Sequence, residues 1–176
     1  MNTIERSVRE AQDCLAAFLA DTEQFGRVRH FADLLGACFR NGGKALSCGN
    51  GGSMSDAMHF AEEWSGRYRS ERPPLPAIAF SDPGHMSCVA NDYGFSEVFA
   101  RQVQALGREG DVLLLLSTSG NSHNLVRAAE EARRRGVTTV GLLGKGGGLL
   151  LPLCDVPIIV PGSTSDRIQE LHIKII

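Results

Sequence analysis

Hydrophobic residues near the N-terminus recur at the spacing of an amphipathic helix. They form two sets, first Ile4, Val8, Ala11, Leu15 and Phe18, and then Val28, Phe31, Leu35 and Cys38. Steps of three and four residues alternate in both sets, as they do in the seam of a coiled coil. The pair Gly42-Gly43 ends the second set. The pattern predicts two helices over residues 1–42, whose apolar faces pack either on the chain's own core or on another subunit.

Beyond residue 43, short apolar runs alternate with helical patterns. Strands are expected at 44–48, 75–80, 112–116, 138–143 and 156–160, and helices at 53–68, 95–106, 122–135 and from 163 onward. The strand runs lack a clean polar–apolar alternation, which is typical of strands covered on both faces. We therefore predict an α/β fold, with a doubly wound, flavodoxin-like sheet of five parallel strands after an N-terminal helical hairpin. Residues 1–176 are expected to form a single domain whose ligands bind at the carboxyl ends of the strands.

The bulk composition of the 176 residues narrows the functional class. A formal net charge of −2 argues against a nucleic-acid partner. No uninterrupted apolar run approaches the ~20 residues of a membrane span, and the N-terminal residues lack the basic start and apolar core of a signal peptide. The five cysteines are scattered without a C-x-x-C pair, as in proteins from a reducing compartment. We expect a cytoplasmic protein that binds neither membrane nor nucleic acid.

The first predicted strand runs into Gly49-Asn50-Gly51-Gly52, and a helix follows directly. Free main-chain N–H groups and the helix dipole converge at such a turn, which makes it an anion site. Ser53 and Asp56 have the spacing of a capping box and are expected to cap this helix. The turn is not a dinucleotide fingerprint, because Met54 occupies its last glycine position.

Two acid–base side chains follow on the same helix. His59 and Glu63 are four residues apart, which sets them about 40° apart around the helix and lets them reach one ligand. The same spacing also fits a plain surface pair, or a bridge from Glu63 to Arg67. Glu62 is a rival carboxylate, but it points about 100° away from Glu63 and off the histidine face.

A second anion site is expected after the third predicted strand, in the segment Ser117-Thr118-Ser119-Gly120-Asn121-Ser122. Hydroxyl groups around a glycine at a helix N-terminus suit a phosphate monoester, although such turns are also common as simple caps. Asn91 and Asp92 lie in a stretch that suggests a turn, where they either bind sugar hydroxyls or form an Asx-turn. The last helix offers Gln169 and His172, and a histidine there is more often structural than catalytic.

Seven segments are informative in combination: CGNGGS, DAMHFAEE, GRYR, AIAFSD, CVANDYGF, GREGDVLLLLSTSGNS and DRIQELHIK. Together they resemble the bacterial phosphoheptose isomerases, enzymes of the sugar isomerase (SIS) domain family, over nearly the whole chain. STSGNS alone marks only the wider SIS family, whereas HFAEE with the IQE-x-H helix is more specific. The resemblance implies conversion of sedoheptulose 7-phosphate to D-glycero-D-manno-heptose 7-phosphate, on the route to the ADP-heptose of the lipopolysaccharide core. It also implies a homotetramer with active sites shared between subunits.

The resemblance assigns roles by matching position. Phosphate is expected at Ser117, Thr118, Ser119 and Ser122, and the sugar at Asn50, Gly51, Gly52, Asn91, Asp92, Glu63 and Gln169. Glu63 aligns with the catalytic carboxylate of the family. His59, Glu63 and Gln169 align with three of the four zinc ligands seen in some members, which implies one zinc ion per subunit.

The fourth zinc ligand of those members is a histidine eight residues after the motif glutamine, and it also takes part in catalysis. It would follow Ile176 directly, so we expect the chain to be cut within its last helix. His172 occupies a different position in the motif and does not replace this histidine.

Two alternatives stay open on the sequence. One is a non-catalytic SIS protein, such as a sugar-phosphate-sensing regulator or a partner of the bacterial replication initiator. Glu63 favours the enzyme, because the initiator-binding relative lacks that glutamate. The other alternative is an SIS isomerase for a hexulose or arabinose phosphate, and the preference for a heptose rests on the resemblance alone.

Overall fold

A computed structural model describes residues 2–176, which fold into seven α-helices, five β-strands and two 3-10 segments. The helices are α1 (Thr3–Ala20), α2 (Thr22–Arg40), α3 (Gly52–Ser65), α4 (Pro83–Tyr93), α5 (Val98–Leu106), α6 (His123–Arg134) and α7 (Ser165–Ile175). The strands are β1 (Ala45–Gly49), β2 (Ala77–Ala79), β3 (Val112–Ser117), β4 (Thr138–Leu143) and β5 (Val156–Ile159). The 3-10 segments are Phe95–Glu97 and Lys145–Leu153, the second interrupted by a non-helical glycine run.

The five strands form one parallel sheet in the order β2-β1-β3-β4-β5. This is the flavodoxin-like order of a doubly wound sheet, so the predicted fold class is confirmed. Every residue of β1 and β3 is buried, as expected for strands with helices on both faces. The central position of β1 and β3 matters for function, because their carboxyl ends lie side by side at one edge of the sheet.

The hydrophobic core is divided by the sheet into two layers. Leu114 and Leu116 of β3 face the layer that contains Phe18, Phe31 and Phe60 from the N-terminal and third helices. The intervening leucines of the same strand point the other way, into a layer built with α4, α5 and α6. Successive side chains along a strand point to opposite faces of the sheet, so one apolar run contributes to both core layers.

The N-terminal hairpin packs only partly on the core. Phe18 near the end of α1 is 4% exposed, whereas Ile4 and Val8 near its start are 75% and 64% exposed. The apolar face of α2 is buried through Phe31, Leu35 and Cys38, and Gln24 accepts a hydrogen bond from the Ile159 N–H at 2.8 Å. The second predicted helix therefore packs on the chain's own core, and an apolar surface remains at the start of α1.

Two sequence expectations about local structure are wrong. Asn91 and Asp92 lie in the last turn of α4 and not in a turn-rich stretch, because Asp82 and Pro83 begin a helix there and Gly94 ends it. The second strand is only three residues long and lies at the sheet edge, since the prolines before it cannot donate ladder hydrogen bonds.

Among residues 2–176, none of the helices combines the length and the apolar character that a membrane crossing requires.

Candidate active site

The first loop of the site joins β1 to α3. A Cβ on Gly49 would approach the Ser53 carbonyl oxygen to 2.6 Å, so this tight turn requires glycine. Gly51 serves as the N-cap with φ of 56°, a left-handed conformation that favours glycine. No main-chain or side-chain acceptor within residues 2–176 takes the N–H groups of Gly51 and Gly52. The predicted anion turn is thus present, with free donors at a helix N-terminus.

The capping box expected in this loop is wrong. The helix begins one residue before Ser53, with Gly51 as N-cap and no side-chain cap hydrogen bond. Ser53 and Asp56 consequently lie inside the first turns of α3, and both are buried. The glycine N-cap leaves the helix N-terminus open to a ligand.

The second loop joins β3 to α6 and is held by its own hydroxyl groups. Ser117 Oγ accepts a hydrogen bond from the Gly120 N–H at 3.0 Å, and Ser119 Oγ accepts one from the Asn121 N–H at 3.2 Å. Ser122 is the N-cap of α6, and its side chain makes no cap hydrogen bond. The hydroxyl group of Ser122 can therefore turn to a bound anion at this helix N-terminus.

The four predicted phosphate ligands differ in exposure and in partners. Ser117 is 4% exposed and closes the turn, whereas Thr118, Ser119 and Ser122 are partly exposed. Thr118 Oγ1 donates to Ser165 Oγ at 3.3 Å, which ties the loop to the first turn of α7. Because a hydroxyl group can donate and accept at the same time, these contacts leave further hydrogen-bonding capacity for a phosphate oxygen.

A glycine-rich turn after β4 packs against the second loop. A Cβ on Gly120 would overlap the Gly147 carbonyl oxygen, and the Gly120 carbonyl accepts the Leu150 N–H at 3.0 Å. Asn121 Oδ1 accepts the Leu149 N–H at 3.0 Å, and Asn121 Nδ2 donates to the Ser119 carbonyl at 3.0 Å. No role was predicted for this turn, and Asn121 was predicted only as part of the second anion site.

His59 and the two glutamates form a cluster on α3. His59 Nε2 lies 3.7 Å from Glu63 Oε1, so the predicted pair converges. The expectation that Glu62 points away from the histidine is wrong, because His59 Nδ1 lies 2.9 Å from Glu62 Oε1. A long glutamate side chain reaches across the i,i+3 step despite its angle around the helix. Arg67 pairs with Glu71 at 3.5 Å, so the bridge from Glu63 to Arg67 that the spacing also allowed is not formed.

This cluster has the composition of a metal site. Ligand atoms of His59, Glu62 and Glu63 all lie within 4.8 Å of one another. An imidazole with two carboxylates suits zinc and related divalent metals, so these residues could hold such an ion.

Gln169 reaches the first loop from α7. A Cβ on Gly52 would overlap the Gln169 amide group, so only glycine allows this approach. Burial raises the pKa of Asp56, and hydrogen bonding by the Gln169 side chain opposes that rise. Asp56 and Gln169 line a cavity of about 290 Å³ together with Asp166, whose pKa is held at about 2 by the Thr164 side chain and by Arg167.

His172 is separate from this surface. Its side chain is fully buried, and neither ring nitrogen has a hydrogen-bond partner within residues 2–176 that meets the usual geometry. Burial lowers its pKa to about 4, although the main chain of Leu143 acts in the opposite direction. The expectation of a structural histidine agrees with this position.

Asn91 and Asp92 lie in the last turn of α4. Both are exposed on α4, and Asn91 Nδ2 donates to Asp92 Oδ1 at 2.8 Å. Asp92 also accepts from Cys88 Sγ at 3.7 Å and borders a cleft that includes His85 and Arg101. Their contact with a sugar stays a prediction.

Asn124 is a site residue that the sequence analysis missed. It is 3% exposed in the first turn of α6, and its side-chain amide pairs with that of Asn50 in the first loop. A polar residue two positions after the N-cap is common at helix starts, so no sequence signal singled it out.

Comparison with known proteins identifies the family to which this chain is similar. The SIS domain family matches residues 8–144. A phosphoheptose isomerase of Cytophaga hutchinsonii is 53% identical over 176 residues, covering 99% of this chain and 92% of that protein. Solved structures of phosphoheptose isomerases from Francisella tularensis and Neisseria gonorrhoeae superpose with TM-scores of 0.93 and 0.91, at 36% and 38% identity. The Francisella match covers 99% of this chain and 94% of the solved chain. The Neisseria match covers 98% of this chain and 91% of the solved chain.

Proposed function

The chain belongs to the phosphoheptose isomerases of the SIS domain family, and on that premise we propose how its residues isomerise sedoheptulose 7-phosphate to D-glycero-D-manno-heptose 7-phosphate. The observation that carries this proposal is the pair His59 and Glu63, 3.7 Å apart, on the helix that begins at the first anion loop. An acid–base pair on α3 beside two anion loops at the carboxyl ends of β1 and β3 suits an aldose–ketose isomerase. The product enters the route to ADP-heptose and the lipopolysaccharide core.

Phosphate binding is assigned to the second loop. The hydroxyl groups of Thr118, Ser119 and Ser122 are partly exposed around the N-terminus of α6, where the helix dipole favours an anion. Ser117 contributes by holding the turn through its contact with the Gly120 N–H. The sugar then extends toward Asn50, Gly51 and Gly52, because β1 and β3 are neighbours in the sheet.

Proton transfer at carbon is assigned to Glu63. The ketose loses a proton from C1 to the carboxylate, which gives a cis-enediol, and the same proton returns to C2 to form the aldose. Meanwhile the hydroxyl proton at O1 is lost and a proton is gained at O2, so the isomer has the composition of the substrate.

A zinc ion is proposed at His59, Glu63 and Gln169. The convergence of His59 with Glu63 supports this assignment, and Glu62 offers a third oxygen donor to the same cluster. When bound, zinc would polarise the substrate carbonyl. Elemental analysis and isothermal titration with Zn²⁺ test the site independently of activity, and His59→Gln is expected to lose the bound metal.

A homotetramer with shared sites is proposed from the exposed start of α1. Ile4 and Val8 are 75% and 64% exposed on a helix whose buried residue is Phe18. Light scattering tests this assembly, and Val8→Arg is expected to lower the measured mass.

We also propose that residues 1–176 act as one domain in the cytoplasm, which five free cysteines support.

The central experiment compares Glu63→Gln with the matched control Glu62→Gln. Turnover of sedoheptulose 7-phosphate and the inhibition constant of inorganic phosphate are measured for both variants and for the unmodified chain. Loss of a general base is expected to lower kcat about 100-fold or more, with phosphate inhibition unchanged. Glu62→Gln is expected to lose much less, because Glu62 contacts His59 and is not the proposed base. Normal turnover by Glu63→Gln would overturn the assignment.

A further inference from the structure

Two asparagines connect the anion loops of the site. Asn50 Nδ2 donates to Asn124 Oδ1 at 3.0 Å, and Asn124 Nδ2 donates in return to Asn50 Oδ1 at 2.8 Å. Asn124 Oδ1 also accepts the Leu125 N–H at 3.0 Å. The amide pair thus spans from the loop after β1 to the first turn of α6, over 74 positions of sequence.

The pair restricts what Asn50 can offer to a ligand. An asparagine amide carries two N–H donors and two acceptor lone pairs. One donor and one lone pair of Asn50 are used by Asn124, so one of each remains for the sugar. Asn124 is 3% exposed, and a buried amide that loses its hydrogen-bond partner destabilises the structure. The reciprocal pair therefore holds Asn50 in one orientation.

We propose that Asn124 is a positioning residue for the isomerase reaction. It touches no substrate, and it acts by orienting Asn50 and by setting the spacing between the first loop and the phosphate loop. The inference rests on the proposed function, in which the phosphate lies at the second loop and the sugar lies along the first. A substrate held at both loops is sensitive to their spacing at its reacting carbons, whereas inorganic phosphate contacts one loop only.

A double-mutant cycle in kcat/KM tests this role. Asn124→Ala, Asn50→Ala and the double variant are compared on sedoheptulose 7-phosphate, with inorganic phosphate as a competitive inhibitor. Asn124→Ala is expected to lower kcat about 10-fold, matching loss of an interaction of ~1.4 kcal/mol, and to change the phosphate inhibition constant less than about threefold. The double variant is expected to match Asn50→Ala alone, because Asn124 acts through Asn50.

The matched control is Asn121→Ala. Asn121 belongs to the same loop, but its amide bonds Ser119 and Leu149 and makes no contact with Asn50. The reductions in kcat/KM caused by Asn121→Ala and by Asn50→Ala are therefore expected to multiply in the double variant. If Asn124→Ala does not fold, Asn124→Asp replaces it in the cycle, since a carboxylate keeps the acceptor for the Asn50 amide and loses the hydrogen bond that Asn124 donates.

Two results would overturn the positioning role. One is an Asn124 effect that multiplies with Asn50→Ala as the control does, and the other is equal loss of kcat and phosphate affinity. Failure of the proposed function is distinguishable, because the full-length protein would then turn over no sedoheptulose 7-phosphate. In that case the same cycle is measured by calorimetric binding of the sugar phosphate, where coupling between Asn50 and Asn124 supports positioning and its absence refutes it.

Discussion

Replacing His172 with leucine is expected to change how stability depends on pH. The side chain is fully buried on α7, and burial lowers its pKa from 6.5 to about 4. In the unfolded chain the imidazole takes up a proton near its ordinary pKa of about 6.5. Between these two values the unfolded state binds more protons than the folded state, so the free energy of unfolding falls as the pH falls.

The size of the effect follows from the two pKa values. Each step of one pH unit between the unfolded and folded pKa weakens stability by about 1.4 kcal/mol. The pKa of about 4 therefore corresponds to a loss of about 3 kcal/mol between pH 7 and pH 4. His172→Leu has a similar volume and no titrating group, so this part of the pH dependence is expected to disappear.

Urea unfolding at pH 7, 6, 5 and 4.5 measures this difference. The quantity compared is the change in free energy of unfolding with pH, for the unmodified chain and for His172→Leu. His30→Gln serves as the control for removing a histidine, because His30 is exposed on α2. An equal slope in the unmodified chain and in His172→Leu would refute the assignment.

Three further substitutions test the packing around the site. Gly120→Ala is expected to weaken inhibition by inorganic phosphate and to lower Tm, because φ is +68° there and a methyl group would overlap the glycine-rich turn. Gly52→Ala is expected to lower kcat/KM with little change in Tm, since its methyl group displaces only the flexible amide of Gln169. Asp111→Ala is expected to lower the free energy of unfolding by about 3–5 kcal/mol, measured in urea, because Asp111 accepts hydrogen bonds from the main chain and the ammonium group of Lys44. The folded Asp111→Ala protein is expected to keep its kcat, because Asp111 lies at the amino end of β3.

Local patterns were sufficient for the sheet and for both loops. Continuous apolar runs such as that of β3 are typical of strands buried on both faces, and all six residues of β3 are buried. The glycine and hydroxyl-rich turns follow β1 and β3 as expected, because they break an apolar run and begin a helix. Helix α4 was missed since its residues include few strongly apolar positions, and only Val89 of that helix is buried.

The candidate site was only partly predictable. The i,i+4 spacing predicts that His59 and Glu63 converge, and they do so at 3.7 Å. The same spacing rule wrongly placed Glu62 away from His59, because the rule considers the angle around the helix and neglects the length of the side chain. The capping box was wrong for a related reason: the motif matched, but a left-handed glycine began the helix one residue earlier.

The sequence by itself determined the five parallel strands, the two anion turns and the family to which they belong. Those features depend on neighbours within a few residues, where helical and strand periods constrain the chain directly. Only the tertiary structure decided that Asn50 pairs with Asn124 and that Gln169 lies against Gly52. Such contacts depend on which strands are adjacent and on how α7 packs beside α3, and these long-range arrangements follow from burial of the whole core and not from any local pattern.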